Sequence, residues 1–152
     1  VRIERALYQL LKNDADLTTA VGGRIFAGTI PRSTTASTQI YPLVVYAPTR
    51  AGHDVTRIVS GGCPLVEQPV EIFSASRLSY DEAADLDDRI VHLLDEFSGT
   101  VTDPALNESL EIQAVFSTNY AHVYSYLETI QVHQFLTEFQ FHYLDPLRVN
   151  TF

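Results

Sequence analysis

The alternation between Phe135 and Tyr143 constrains this chain more than any other stretch. Phe135, Thr137, Phe139, Phe141 and Tyr143 fall on one side of an extended backbone and Glu138, Gln140 and His142 on the other, because successive strand side chains point to opposite faces. A strand so aromatic on one side needs a sheet around it and a layer of helices to keep that side from water.

Two stretches carry the stripe such helices require. Ile3, Ala6, Leu7, Leu10 and Leu11 recur at helical spacing, with Arg2, Glu4, Arg5, Gln9 and Lys12 outside the stripe. Asn13 and Asp14 break that helix, Leu17 to Val21 form one further turn, and Gly22-Gly23 supplies the left-handed geometry that ends it. The second helix starts at Ser79-Tyr80-Asp81-Glu82. This matches S-x-x-E, in which the serine hydroxyl accepts from the N3 amide and the glutamate reaches back to the cap amide. Ala83, Leu86, Ile90, Leu93, Leu94 and Phe97 form its buried stripe, and Gly99 is placed to stop it.

Strands fill the remainder. Arg24 to Ala27 reads as a short one, and Leu43-Val44-Val45-Tyr46, bounded by Pro42 and Pro48, as a largely buried one. Leu65, Glu67, Val70, Ile72 and Phe73 make a third, with Pro69 confining part of it to an edge or a bulge. Leu110 to Phe116 alternates as a half-buried strand does. Pro31 to Gln39, Thr49 to Gly62 and the surroundings of Asp103-Pro104 lack a core pattern and read as loops, the second of them as a long loop or irregular hairpin. The resulting order, α-β-β-β-α-β-β, predicts an α+β fold: a mainly antiparallel sheet with two helices packed on one face. Residues 1–144 are expected to form a single domain, followed by a C-terminal tail at 145–152.

A length of 152 residues suits one domain. About 70% of the unfolded surface can be buried at this size, so neither disulfide nor structural metal is needed. Cys63 is the only cysteine, which rules out an intramolecular disulfide and four-thiolate or Cys2His2 zinc sites, and suits a reducing compartment. No apolar run is long enough to span a bilayer, and Val1-Arg2-Ile3-Glu4-Arg5 reads as helix rather than signal peptide. A soluble protein without a membrane partner is expected. Nineteen acidic against ten basic residues give a net charge of −9, which repels phosphate backbones and argues against DNA binding of the ordinary kind.

Chemistry-bearing patterns are missing. His53, His92, His122, His133 and His142 show no metal-binding helical spacing. His142 and Glu138 share a strand side but read as solvated sheet surface. The acids of the second helix, Asp81, Glu82, Asp85, Asp87, Asp88, Asp95 and Glu96, radiate around the helix instead of converging as calcium ligands do, and read as a solvated face. Asp85 and Arg89 form an i, i+4 pair. There is no nucleophile elbow, P-loop or dinucleotide fingerprint, and Cys63 has no local basic partner. The residues therefore nominate no enzyme, no cofactor, and no catalytic or metal site. Contact surface is a better reading for three segments. Tyr120, Tyr124 and Tyr126 cluster between the last two strands. Arg50, His53, Asp54, Val55, Arg57 and Ile58 lie in the long loop, and Leu147, Arg148, Val149 and Phe152 lie in the C-terminal tail.

Several of these segments, taken in order, resemble the bacteriophage tail-completion or tail-terminator family. They are Ala15-Asp16-Leu17, Val21-Gly22-Gly23-Arg24-Ile25-Phe26, Tyr41-Pro42-Leu43-Val44-Val45-Tyr46, Val70-Glu71-Ile72-Phe73-Ser74-Ala75 with Ser79-Tyr80-Asp81-Glu82-Ala83, and the strand from Phe135 to Tyr143. The resemblance implies a structural virion protein without catalytic residues. It would form a ring, expected to be a hexamer of this chain, at the head-proximal end of the tail. There it would stop the tail tube and join it to the head-tail connector or adaptor. Its partners would be itself, the tail-tube protein and the connector, with DNA passing through the lumen without specific binding. Its place would be the virion neck, assembled in the host cytoplasm. The long loops and the segment after Tyr143 depart from the compact family pattern. Two other readings are a different neck component, such as a head-completion adaptor or tail-tube protein, and a small-ligand-binding regulatory domain. The latter needs a closed pocket with converging polar groups.

Overall fold

In the computed structural model, which describes residues 3–28, 41–48, 54–56, 65–127 and 130–144, the first stripe forms α1 (Ile3–Lys12) and buries Ile3, Ala6, Leu7 and Leu11. The expected further turn is a helix of its own, α2 (Ala15–Val21), with Leu17 and Val21 buried. Asp14 starts it: its carboxylate accepts from the Leu17 amide at 2.9 Å, satisfying one of the N–H groups a helix start leaves orphaned. Gly22 ends it at φ 60°. A Cβ there would lie 2.7 Å from the Arg24 guanidinium, which is held to the Pro42 carbonyl at 2.8 Å. Both the left-handed turn and the tight space call for glycine.

The next helix, α3 (Tyr80–Leu94), starts where the capping pattern places it, with Ser79 Oγ accepting from the Glu82 amide at 3.1 Å. The Glu82 carboxylate accepts from Ser76 Oγ at 2.7 Å, tying the helix to the strand before it. The helix stops at Leu94 rather than running on to Gly99. Asp95 is extended and Glu96 takes φ 62°, after which Phe97 turns back onto the core.

The strands are β1 (Ile25–Ala27), β2 (Leu43–Pro48), β3 (Asp54–Thr56), β4 (Leu65–Ser76), β5 (Gly99–Asp103), β6 (Glu108–Leu127) and β7 (Ile130–Leu144). They form one sheet in the order β1-β2-β4-β7-β6-β5, with β3 also paired to β4. The α+β expectation holds, with corrections. The described residues form three helices rather than two. The sheet is mixed, because β1 and β2 run parallel while the other pairs are antiparallel. The order gains α2, β3 and β5.

β5 escapes sequence reading because only Val101 and Asp103 of it are buried. β6 extends well past the alternating stretch, so Tyr120, Tyr124 and Tyr126 lie within a strand, not in a connection. Register shifts between Ile112 and Ala114 and between Ser117 and Asn119 reset its facing, which hides its period. Pro69 is on neither an edge strand nor a bulge. β7 pairs with β4 from Leu65 to Ser76, while the other side of β4 is shared by β2, from Val70 to Ala75, and β3, from Leu65 to Glu67. Pro69 falls between those two partners, where a strand missing one N–H loses least.

All three helices lie on the face that carries Val70, Ile72, Phe139, Phe141 and Tyr143, and together they enclose the main core. On the reverse face Leu43, Val45, Ala75 and Val132 make a smaller cluster, which leaves β2 buried on both sides. α1 touches β1 and β2 near one edge of the sheet and β5 at the other. Laid flat, the strand path from β1 to β5 would be about 24 Å wide, against about 15 Å for the length of α1. The sheet therefore curls around its helices.

Candidate functional site

Three acidic side chains are tied into the fold by hydrogen bonds between elements. Asp87 lies on the core side of α3 and accepts from Thr137 Oγ1 at 2.6 Å. Burial pushes its carboxyl above the ordinary carboxylate value, against the Thr137 hydrogen bond and with the added charge of Asp88. It was expected on a solvated face. Its spacing, between Ala83 and Ile90 on the buried stripe, is the signal that could have placed it inside. Asp14 is the acceptor for Arg89, with Nη2 at 2.7 Å and Nε at 3.2 Å. Burial raises its pKa, but the Arg89 and Leu17 hydrogen bonds and the Arg89 charge outweigh that and hold it below the usual value. Arg89 therefore pairs with Asp14 and, at 3.3 Å, with Asp16 instead of making the expected pair with Asp85. Asp103 accepts from Arg5 at 2.8 Å, and this bond holds its carboxyl low against burial.

The surface around these ties has three features. The first is a groove of about 590 Å³ between α2 and α3. Leu17, Leu86, Leu78 and Arg89 are among the residues that line it; Leu17 and Leu86 are buried and Leu78 is 80% exposed. Asp16, Asp81 and Asp85 stand on its rim. Asp16 is engaged by Arg89, whereas Asp81 and Asp85 have no ion-pair partner among the described residues.

The second is the outer edge of β6. β5 covers it from Glu108 to Ile112. The turn after α3 then covers a little more: the Glu96 amide donates to the Val115 carbonyl at 2.9 Å, and Asp95 accepts from the Ser117 amide at 3.0 Å. From Tyr120 to Leu127, β7 is the only strand beside it among the described residues. Tyr120, 57% exposed, stands at the start of this open edge beside Phe135, whose ring also meets that of Tyr80.

The third is the sheet face turned away from the helices. Glu67, Glu71, Glu111 and Glu138 lie on it, with Glu71 and Glu138 directly opposed across β4 and β7. His142 Nδ1 lies 3.5 Å from Glu67 there, and its ring meets the exposed Phe116 edge-on. His142 thus faces Glu67 across the strands, not its neighbour Glu138.

Of the residues singled out in sequence, Tyr120 is an exposed side chain, and Tyr124 and Tyr126 are β6 positions registered with His133 and Gln131. Asp54 and Val55 belong to β3, registered with Glu67 and Val66. Arg50, His53, Arg57, Ile58, Leu147, Arg148, Val149 and Phe152 lie outside the described residues, as does Cys63. The groove was not anticipated, because it exists only once α2 and α3 are neighbours. Among the described residues, no three His, Cys, Asp or Glu side chains are grouped to hold a metal ion. No described helix is long and apolar enough to cross a membrane.

This arrangement, a curled mixed sheet with one helix-covered face, an open strand edge and acidic surfaces, defines an α+β fold whose noteworthy features are surfaces. No protein-family profile matches the chain, and no curated protein does. Among solved structures it is similar to a chain of the "Virion of native gene transfer agent (GTA) particle". The TM-score is 0.65 at 14% sequence identity, over 94% of this chain and 95% of that one. Similarity at that identity is a similarity of fold.

Proposed function

We propose that this chain is a structural subunit of a phage-like virion: one copy in a closed ring, expected to be hexameric, that ends the tail tube and joins it to the head connector. In this reading it has no active site. The observation that carries it is the end-to-end correspondence of fold with a virion chain, since almost the whole of each chain is matched. The open β6 edge supports it further. An unpaired strand edge is a ready template for another chain and is disfavoured on a protein that stays alone, and heterologous contacts between copies generate a ring where the rotation between them closes.

The test is the mass of the purified protein, alone and with tail tubes, followed by reconstruction of the particle. A ring of this chain at the tube's head-proximal end supports the reading. A copy number or position matching the tube itself or a head-completion adaptor would transfer the chain to another virion role, and a monomer absent from particles would end the proposal.

A further inference from the structure

We propose that the groove between α2 and α3 receives residues 145–152 of a second copy, with Arg148 held between Asp81 and Asp85. This deepens the ring reading and rests on it for the presence of a second copy. The groove is lined by Leu78, which is its exposed apolar side chain, by the carboxylates of Asp81 and Asp85, and by Arg89, whose charge is taken up by Asp14 and Asp16. Leu78, large and 80% exposed, is left uncovered by its own domain. Asp81 and Asp85 stand one helical turn apart on α3. Side chains at that spacing are neighbours, close enough for one guanidinium to bridge both.

The sequence Asp145-Pro146-Leu147-Arg148-Val149-Asn150-Thr151-Phe152 has the complementary make-up. In an extended segment Leu147 and Val149 point to one side and Arg148 to the other, so apolar and cationic contacts can be made together.

The fold argues that the donor is another copy. Residue 145 follows Leu144, the end of β7. The Thr137–Asp87 hydrogen bond fixes α3 over β7 at position 137, about 23 Å of strand away from Leu144. Asp85 and Asp81 lie beyond Asp87 toward the start of the helix, where Tyr80 meets Phe135. Arg148 follows Leu144 by four residues, which span at most about 14 Å. A chain's own Arg148 therefore falls short of its own Asp81 and Asp85, and a neighbour's does not have to.

The experiment titrates a fluorescent peptide of residues 145–152 with the full chain, and in parallel measures the self-association of Asp81→Lys, Asp85→Lys and Arg148→Glu full-length variants by sedimentation velocity. The expected result is peptide binding weakened about tenfold by either lysine substitution or by Arg148→Glu in the peptide. The Arg148→Glu peptide should bind again to the Asp85→Lys protein. Assembly of the full-length variants should fall in step and return when Arg148→Glu and Asp85→Lys protein are mixed. Lack of peptide binding, or binding indifferent to all three charge reversals, overturns the proposal. So does a charge reversal that lowers the melting temperature of the monomer while leaving assembly unchanged, because the segment would then dock on its own copy. Rings that form normally from all three variants would sink the groove contact and leave the ring standing. Peptide binding by a protein that never joins a virion would do the reverse.

Discussion

The polar residues that matter most for stability are those that cross between elements, and two of them respond to pH in opposite senses. Asp87 is buried against Thr137 with its pKa raised above the ordinary 3.8, chiefly by burial. The folded molecule then takes up this proton before the unfolded chain does. On that account its contribution to stability grows as pH falls through the raised folded value, and it is complete below the ordinary one. Thr137 donates to this carboxyl, and that hydrogen bond favours its charged form. Thr137→Val is therefore expected to cost about 1–3 kcal/mol near neutral pH, the penalty for a buried acceptor left unmade, and less on acidification, as measured by thermal melts across pH. Asp14 has the other sign. Its pKa lies below 3.8 because Arg89 and the Leu17 amide hold the carboxylate, so its contribution is present above 3.8 and lost as pH falls through the lowered value. Arg89→Ala is expected to lower the melting temperature near neutral pH, and the difference from the parent should close on the acid side of 3.8. A gap that persisted there would show that Arg89 acts through packing and not through its charge.

Among the elements, β6 departs furthest from a self-sufficient domain, since its outer edge from Tyr120 to Leu127 has no strand beside it among the described residues. Tyr120→Lys places at the start of that edge the kind of residue natural proteins use to block edge-to-edge pairing. Tyr120 is 57% exposed and packs on Phe135, so the monomer should lose about 1 kcal/mol or less. Self-association, read by sedimentation, should drop far more. Equal assembly by parent and variant would remove the edge from the list of contacts.

The same strand shows where sequence reading succeeds and where it stops. α1, α3 and the end of β7 were legible because each buries one continuous face, so period and apolarity coincide, from Ile3 to Leu11, Ala83 to Leu94 and Phe135 to Tyr143. β5 and most of β6 were not. Val101 alone cannot set a period, and two register shifts break that of β6. Candidate contact residues can be named from sequence only as segments, and Tyr120, assigned to a connection, lies in β6. The groove and the Asp14–Arg89 tie join residues up to seventy-five positions apart, which no local pattern encodes.

At the scale of the whole molecule, charge decides which partners are open to it. The ten basic residues are outnumbered by nineteen acidic ones, and β4, β6 and β7, which form the middle of the sheet, contain no lysine or arginine at all. The two broad faces are acidic for different reasons: Glu67, Glu71 and Glu138 lie on the open sheet face, while Asp81, Asp85 and Asp88 are exposed on α3. Whichever face a ring of this protein turned inward, the carboxylates of that face would repel phosphates. Binding to duplex DNA gains most of its non-specific free energy from lysine and arginine displacing counterions at phosphates, and among the described residues neither face offers an array of them. The free protein is accordingly expected to leave duplex DNA unshifted in a gel assay at physiological salt, and to remain so when the salt is lowered. Retention that weakens steeply with added salt would mean that a basic surface is assembled from residues outside the described ones. In that case the expectation of a phosphate-repelling wall would fail, while the ring itself would still be judged by its mass and its place in the particle.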